Sequence, residues 1–309
     1  MRISVIDIGT NTILLLIAEV EKGRIAKVNH DEQVIARLGK GVDERRVITD
    51  ESIARASTFL EAYRRTSSAF KAERIVAVGT SALRDASNRA EVLTAILNAT
   101  GIGVEVLSGQ DEAEWTYRGA IGANDRYTGD YTVLDIGGGS TEIISGTSAR
   151  VTRKVSLDIG CVRITERILK AHPPTRDAIE EARSLVAKAL LNADLTAVKS
   201  SRAIGVAGTV TTLAAMMLGL DEYDPQRVEG FVLRAGDVSR TLERMSTMKL
   251  EEIREIRQIS PGRADILLAG ILILSEFISA GRLDELRVSD RGLRYGIMLR
   301  EAERLAGSY

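Results

Sequence analysis

The segment Asp135-Ile136-Gly137-Gly138-Gly139-Ser140-Thr141-Glu142 gathers three glycines, two hydroxyls and two outer carboxylates. A tight turn of this composition between two strands can aim several backbone N–H groups at one point. Glycines let an anion approach those amides, and hydroxyls add donors. That is the chemistry of a phosphate cradle. Three consecutive glycines otherwise weaken a strand-to-strand turn, and a plain hairpin loop is the alternative. A second stretch, Asp7-Ile8-Gly9-Thr10-Asn11-Thr12, has related chemistry, although Gly, Asn and Thr are also ordinary turn residues. A third, Gly205-Val206-Ala207-Gly208-Thr209-Val210-Thr211-Thr212, sits between an apolar strand-like run and a helical one. A helix N-terminus there adds its own positive end. It lacks the lysine of a P-loop, and simple helix entry is the other reading.

The acids sort by position. Asp135 ends a strand beside the glycines and Glu142 opens the next, seven residues on. Both suit Mg²⁺, which keeps several waters and takes one or two carboxylates. Asp7 holds the equivalent place in the first stretch. Glu112 opens a helix in Ser108-Gly109-Gln110-Asp111-Glu112-Ala113-Glu114. It is either favourable N-terminal helix charge or a general base. Two histidines and one cysteine exclude a zinc site of the His/Cys kind, leaving a hard cation held by oxygen.

These residues need elements to position them. Strands are expected at Ile3–Ile6, Ile13–Ile17 and Arg24–Val28, at Arg74–Val78 and at Val104–Leu107. Helical spacing runs from Asp50 to Phe70 and through Ala90–Leu97, and Gly109 opens another helix. The pattern then restarts: Val5-Ile6-Asp7-Ile8-Gly9 returns as Val133-Leu134-Asp135-Ile136-Gly137, 128 positions later. Such a long period implies two related domains. The second continues through a strand at Val151–Val155, helices around Val162–Lys170 and Asp177–Leu195, a strand at Arg202–Val206 and a helix after Gly208. A last strand at Glu285–Val288 precedes a terminal helix from Gly292. Strands alternating with helices in both halves make the fold α/β. The boundary is expected near Asn124–Asp130, giving domains 1–125 and 126–291, with the helix 292–309 expected to rejoin the first.

Composition narrows the classes. The 309 residues allow two domains. A hydrophobic share of 44% with net charge −1 excludes disorder as the main state. Lys+Arg at 42 against Asp+Glu at 43 argues against a general nucleic-acid binder. One cysteine excludes an intrachain disulfide framework. The apolar N-terminal run is broken by Asp7, unlike a signal peptide, and Ile266–Leu274 is too short to span a bilayer. A cytoplasmic protein without membrane attachment is expected.

Eight stretches, in this order, resemble the exopolyphosphatase/guanosine pentaphosphate phosphatase family of the actin, sugar-kinase and heat-shock-ATPase superfamily, over nearly the whole chain. They are Asp7–Thr12, Thr80–Asn88, Ser108–Ala113, Asp135–Glu142, Gly160–Glu166, Gly208–Ala214, Pro261–Asp265 and Ser289–Arg294. The resemblance implies two ribonuclease H-like (actin-like ATPase) domains, mixed sheets flanked by helices, and a cleft faced by both hairpin loops. It implies a homodimeric phosphohydrolase using Mg²⁺ or Mn²⁺, with K⁺ as an activator. Glu112 then positions or deprotonates the attacking water, and Asp135, Glu142 and Asp7 serve the metal. Asn11, Arg84, Gly137, Ser140, Cys161 and Arg263 lie along the phosphate chain. Thr10, Thr12, Gly138, Gly139, Thr141, Gly208 and Thr209 contribute from the loops. Further arginines, Arg37, Arg153 and Arg163, are either additional phosphate contacts or solvated surface residues. Thr10-Asn11-Thr12 stands where the family usually shows Ser-Asn-Ser, which keeps both hydroxyls. The chain stops at Tyr309 and resembles the short, two-domain form, so short polyphosphate is the expected substrate. Guanosine pentaphosphate is the nearest alternative. A superfamily kinase and a non-hydrolytic nucleotide-binding regulator are the further ones.

Overall fold

The computed structural model describes residues 1–122, 129–148, 150–193, 195, 198 and 202–307. Residues 124–128 of the expected boundary lie outside the described residues. In chain order the elements are β1 (Arg2–Ile8), β2 (Thr12–Glu21), β3 (Arg24–Ile35), α1 (Val42–Arg45), α2 (Asp50–Ala69), β4 (Arg74–Gly79), α3 (Ser81–Asp85), α4 (Arg89–Thr100), β5 (Val104–Val106) and α5 (Gly109–Ile121). Then come β6 (Asp130–Ile136), β7 (Thr141–Thr147), β8 (Val151–Leu157), α6 (Cys161–Arg167), α7 (Arg176–Asn192), β9 (Arg202–Val206), α8 (Ala207–Leu218) and α9 (Pro225–Val228). The chain ends with β10 (Val232–Arg234), α10 (Ala235–Ser246), α11 (Leu250–Arg254), α12 (Leu267–Gly281), β11 (Glu285–Val288) and α13 (Leu293–Ala306). It divides into two compact units, Met1–Arg126 with Gly292–Tyr309, and Tyr127–Arg291.

The first unit's sheet has the order β3-β2-β1-β4-β5. Its first three strands form an antiparallel meander, and β4 and β5 add in parallel. The second unit's sheet, read from β8, runs β8-β7-β6-β9-β11-β10. Again three antiparallel strands are followed by parallel additions, and β10 closes antiparallel. Each unit is thus a ribonuclease H-like mixed sheet with flanking helices. In both, the Asp-Ile-Gly turn lies at the tip of the central hairpin, between β1 and β2 or between β6 and β7.

The strand β2 reads as an unbroken apolar run because both faces of its sheet are covered. Ile13, Leu15 and Ile17 join the core containing Ala56, Leu60 and Tyr63 of α2. Leu16, Ala18 and Val20 face the opposite core, which contains Ile297, Met298 and Ala302 of α13. The terminal helix is therefore a layer of the first unit. β3 runs seven residues past the expected Val28. Its polar stretch His30-Asp31-Glu32-Gln33 hides an edge strand whose outer residues are partly solvated. No helix among the described residues is long and apolar enough to cross a membrane.

One packing contact fixes α5, the helix that carries Glu112. A Cβ on Gly296 of α13 would lie 1.8 Å from the carbonyl oxygen of Trp115 in α5. The two helices meet backbone to backbone, which any side chain at 296 would prevent. Arg294 Nε and Nη2 grip the Asp31 carboxylate at 2.9 and 3.0 Å, and the Tyr295 hydroxyl donates to it at 2.9 Å. The ion pairs lock the first turn of α13 to β3. Overpacking of this kind typically costs about 1–3 kcal/mol. Gly296→Ala is therefore expected to unfold the first unit at lower urea concentration. The single tryptophan, Trp115, sits at this contact, so its fluorescence reads the transition directly. An unchanged midpoint would show that α5 and α13 separate at no cost.

Candidate functional site

In the second unit the glycine loop is held from behind. Gly137 N–H donates to Ser140 O at 3.0 Å and closes the turn. Gly137 O accepts from Cys161 N at 3.0 Å, and Gly138 O accepts from Val162 N at 2.9 Å and Arg163 N at 3.2 Å. Gly139 O accepts from Arg163 Nε at 2.8 Å. A trans peptide points its C=O and N–H in opposite directions. Pinning the carbonyls of 137, 138 and 139 therefore turns the N–H groups of Gly138, Gly139 and Ser140 the other way. Among the described residues those three amides donate to no backbone carbonyl. Three successive outward amides form an anion-binding concavity. The first turn of α6 comes this close because residue 160 is glycine, where a Cβ would lie 2.4 Å from Gly138 O.

Three other expected residues, Gly208, Arg263 and Cys161, lie near one another in the second unit. A Cβ on Gly208 would lie 1.3 Å from Arg263 Nη1, so the guanidinium rests on the start of α8. Cys161 is buried nearby. Burial pushes its thiol up to about 11, Arg263 pulls against that, and Asp265 adds to it. The cysteine is thus a neutral thiol at ordinary pH and no nucleophile. Burial lowers the Arg263 pKa, opposed by Cys161 and Tyr223. The α8 N-terminus has no side-chain cap, which leaves its dipole available to an anion. Ala207, at the entry to α8, carries a φ of 67°, a left-handed conformation that costs an alanine about 1–3 kcal/mol.

Two expected loop contacts have their hydroxyls turned into the fold. Thr141 Oγ1 donates to Ile159 O at 2.6 Å. Thr209 Oγ1 fills the space that a side chain at Gly270 of α12 would need. Arg163 is neither a solvated residue nor a surface contact, being 5% exposed. Arg153 donates Nη2 to Ala193 O at 2.8 Å.

Asp135 and Glu142 are direct partners across β6 and β7. Residues so paired have Cβ atoms about 4.5–5.5 Å apart, and like charges there repel. Glu142 is 1% exposed and accepts from Ser156 Oγ at 2.7 Å. This donor set suits a hard divalent cation, which would offset the repulsion. The first unit differs at this point, because Asp7 faces Leu14. Asp135 and Glu142 are thus brought together in the second unit, while Asp7 stands in the first without a carboxylate opposite. No group of three or more His, Cys, Asp or Glu side chains arranged for a metal occurs among the described residues.

The first unit's loop repeats the device. Gly9 N–H donates to Thr12 O at 3.0 Å, and the carbonyls are again tied back. Gly39 N reaches Thr10 O at 2.8 Å, and Ala36 N and Arg37 N reach Asn11 O at 3.0 and 2.9 Å. Thr10, Asn11 and Thr12 are all buried. Asn11 Nδ2 is buried with no hydrogen-bond partner among the described residues, a donor in want of an acceptor.

Glu112 lies in the first turn of α5, whose N-cap Ser108 accepts from Asp111 N at 3.1 Å. It is 7% exposed. Arg84 of α3 donates Nη1 to Glu112 Oε2 at 2.7 Å and to Leu107 O at 3.2 Å. Burial raises the Glu112 pKa above the usual carboxylate range. Arg84 opposes the shift and Asp85 adds to it. This carboxylate is desolvated, and a buried carboxylate of raised pKa beside an arginine is a candidate functional group.

Sequence reasoning missed the roles of Gly160, Arg163 and Ser156. Gly160-Cys161-Val162-Arg163 carried the family resemblance, but nothing in it said that α6 turns back onto the glycine loop.

The comparisons with known proteins give the family. Residues 16–305 match the model of the Ppx/GppA phosphatase family. Exopolyphosphatase 2 of Mycobacterium tuberculosis is 38% identical over 96% of this chain and 98% of its own. The solved structure of the Ppx/GppA family member of Aquifex aeolicus is 32% identical, covering 99% of this chain and 98% of its own, with a TM-score of 0.80. An exopolyphosphatase from Cytophaga hutchinsonii is 27% identical, covering 98% of each chain, with a TM-score of 0.89.

Displacing Arg263 should weaken anion binding. Gly208→Ala is expected to lower the affinity for tripolyphosphate, read by calorimetry, roughly tenfold or more. That is the worth of one charge-assisted hydrogen bond of about 1.5–3 kcal/mol. Gly103→Ala, where a Cβ meets nothing within 4 Å, should bind as the wild type does. Equal affinity in both variants would remove Arg263 from the site.

Proposed function

The chain belongs to the Ppx/GppA phosphatase family, and from that premise we propose that it is an exopolyphosphatase, a phosphoric anhydride hydrolase that removes the terminal phosphate of inorganic polyphosphate, short chains above all. The observation that carries the proposal is the row of outward N–H groups at Gly138, Gly139 and Ser140. Those donors suit a chain of phosphate oxygens without selecting a nucleoside. The exopolyphosphatases among the relatives point the same way.

In the proposed reaction a water attacks the terminal phosphorus, in line with the bridging oxygen that leaves. The bond to the next phosphate breaks, giving inorganic phosphate and a polymer one unit shorter. Glu112 takes the proton of the attacking water. The transition state is loose, so positioning and charge neutralisation supply most of the acceleration. In the second unit, amides 138–140 and Arg263 are the proposed donors to phosphate oxygens; in the first, Asn11 Nδ2 and Arg84 are. Asp135 and Glu142 would hold Mg²⁺ or Mn²⁺, which when bound neutralises phosphate charge. Activation by K⁺ and a cytoplasmic homodimer complete the proposal.

The deciding experiment measures phosphate release from tripolyphosphate, long polyphosphate, guanosine pentaphosphate and ATP, side by side with Mg²⁺. Fastest release from tripolyphosphate is expected. No release from either polyphosphate ends the proposal, and faster release from guanosine pentaphosphate replaces it. Excess chelator, after removal of bound metal, is expected to abolish turnover.

Glu112→Gln keeps the shape and removes the basicity. Turnover should fall about 10²–10⁴-fold, with tripolyphosphate affinity largely kept. Glu112 must be ionised to act, and burial raises its pKa. Activity should therefore be lost as pH falls, at a pH above the ordinary carboxylate range. Arg84 lowers that pKa, so Arg84→Met should move the acid limb of kcat/KM to higher pH. An acid limb that stays in place in Arg84→Met would assign the titration to another group.

A further inference from the structure

We propose that Arg163 is a positioning residue for the phosphate loop, acting through the peptide between Gly139 and Ser140. The inference rests on the reading of this loop as a phosphate cradle. Of the three tied-back carbonyls, those of Gly137 and Gly138 are held by backbone N–H groups of α6. Those bonds persist in any variant that keeps the helix. Gly139 O is held by a side chain, Arg163 Nε at 2.8 Å. The Ser140 N–H belongs to that same peptide unit.

Gly139 has no Cβ to restrict its dihedral angles, so this peptide rotates more freely than one between two larger residues. Arg163 removes that freedom before a ligand arrives. The bond also has an electrostatic side. A guanidinium on the carbonyl oxygen draws electron density from the peptide and strengthens its N–H as a donor. Arg163 thus lends part of its positive charge to an anion through the peptide. Its burial fits this role, since a phosphate ligand at the surface would be solvated and mobile.

The test uses the full chain, with tripolyphosphate as the probe and two readouts. One is affinity by calorimetry. The other is the amide shift of Ser140 on titration, by nuclear magnetic resonance. In the wild type the Ser140 N–H should shift as tripolyphosphate binds. In Arg163→Met that shift should vanish and affinity should fall about tenfold, the order expected for one lost hydrogen bond to a charged group. Arg163→Lys, with a single donor head that still reaches the carbonyl, should lie between, at about threefold. Arg183→Met breaks a different pair of the second unit, Arg183 Nη1 to Glu276 Oε1 at 2.7 Å. It should lower the melting temperature and leave affinity alone, which separates positioning from general loosening. Wild-type affinity and a retained Ser140 shift in Arg163→Met overturn the proposal. So does a wild-type Ser140 that ignores tripolyphosphate. If Arg163→Met does not fold, Arg163→Lys decides: a weakened shift with reduced affinity supports the role, and wild-type behaviour refutes it. A wild type that binds with the expected shift but releases no phosphate ends the proposed activity and leaves the role of Arg163 standing.

Discussion

A peptide group cannot present its N–H to a ligand while its carbonyl roams. The oxygen must be satisfied on the far side, or water and chain motion will turn the plane. In the second unit this constraint governs the hairpin, the helix behind it and the choice of residues. Gly137, Gly138 and Gly139 supply planes without side chains. The first turn of α6 supplies donors for their oxygens. Gly160 supplies the close approach. The strand meander β6-β7-β8 delivers α6 to that place, because β8 ends at Leu157 and α6 starts at Cys161. Three residues do not let the chain travel far from the hairpin tip. The first unit meets the same constraint with less regular means. After β3 the segment 36–39, with no helix at that point, returns donors to Thr10 O and Asn11 O. Arg55 in turn donates Nε to Ala36 O at 2.7 Å and Nη2 to Arg37 O at 3.2 Å. Each loop thus has an arginine behind it, the buried Arg163 directly and the partly exposed Arg55 a step removed.

The two units share a scaffold and differ in what they add to it. Where the second places Glu142 across from Asp135, the first places Leu14 across from Asp7. Leu14 extends the apolar strand, while Glu142 sets a second carboxylate across from Asp135. Where the second keeps glycine at 139, the first has Asn11, whose amide nitrogen is buried and unanswered. The first unit also holds the tuned carboxylate. Glu112 is fixed by α5, and α5 by its contact with α13 through Gly296. A helix from the chain's end thereby sets the position of a group near its middle.

Much of this was legible in the residues. The 128-residue repeat announced two sheets of one design, since an Asp-Ile-Gly strand end followed by small polar residues is rare enough to notice twice. The strands of both hairpins follow from apolar runs, and α2 and α7 from their spacing. β3 beyond Val28 was not legible, because an edge strand with charged outer residues lacks the apolar signal. Nor was α3, five residues with no room for a period. In the site, glycines, acids and Glu112 could be named from type and place. The pairing of Glu112 with Arg84 could not, because it joins positions 28 apart through the packing of α3 on α5. The duty of Arg163 was hidden for a related reason. Sequence shows that an arginine is present, but only the return of α6 over the loop decides whether it faces water, ligand or a carbonyl.

The charge balance gives these dipoles their weight. With a net charge of −1, the chain has no overall field to draw a polyanion. Lining a cradle with lysines would attract phosphate but also hold the product. Peptide N–H groups carry partial charge and fixed direction, and they cost nothing to reorient as the phosphoryl group moves. Their weakness is the carbonyl on the other side, which needs a partner of its own. At Gly139 the buried Arg163 is that partner. It is shielded from salt, which screens interactions between exposed charges beyond about 8 Å. It reaches the anion only through the peptide it polarises. Arg163 and the glycine loop are in that sense one donor in two parts. The side of the same hairpin that carries Asp135 and Glu142 sets two carboxylates opposite one another, and the Ser156 hydroxyl donates to Glu142. One turn thus separates a row of N–H groups from a pair of carboxylates by the direction in which each peptide and carboxylate faces.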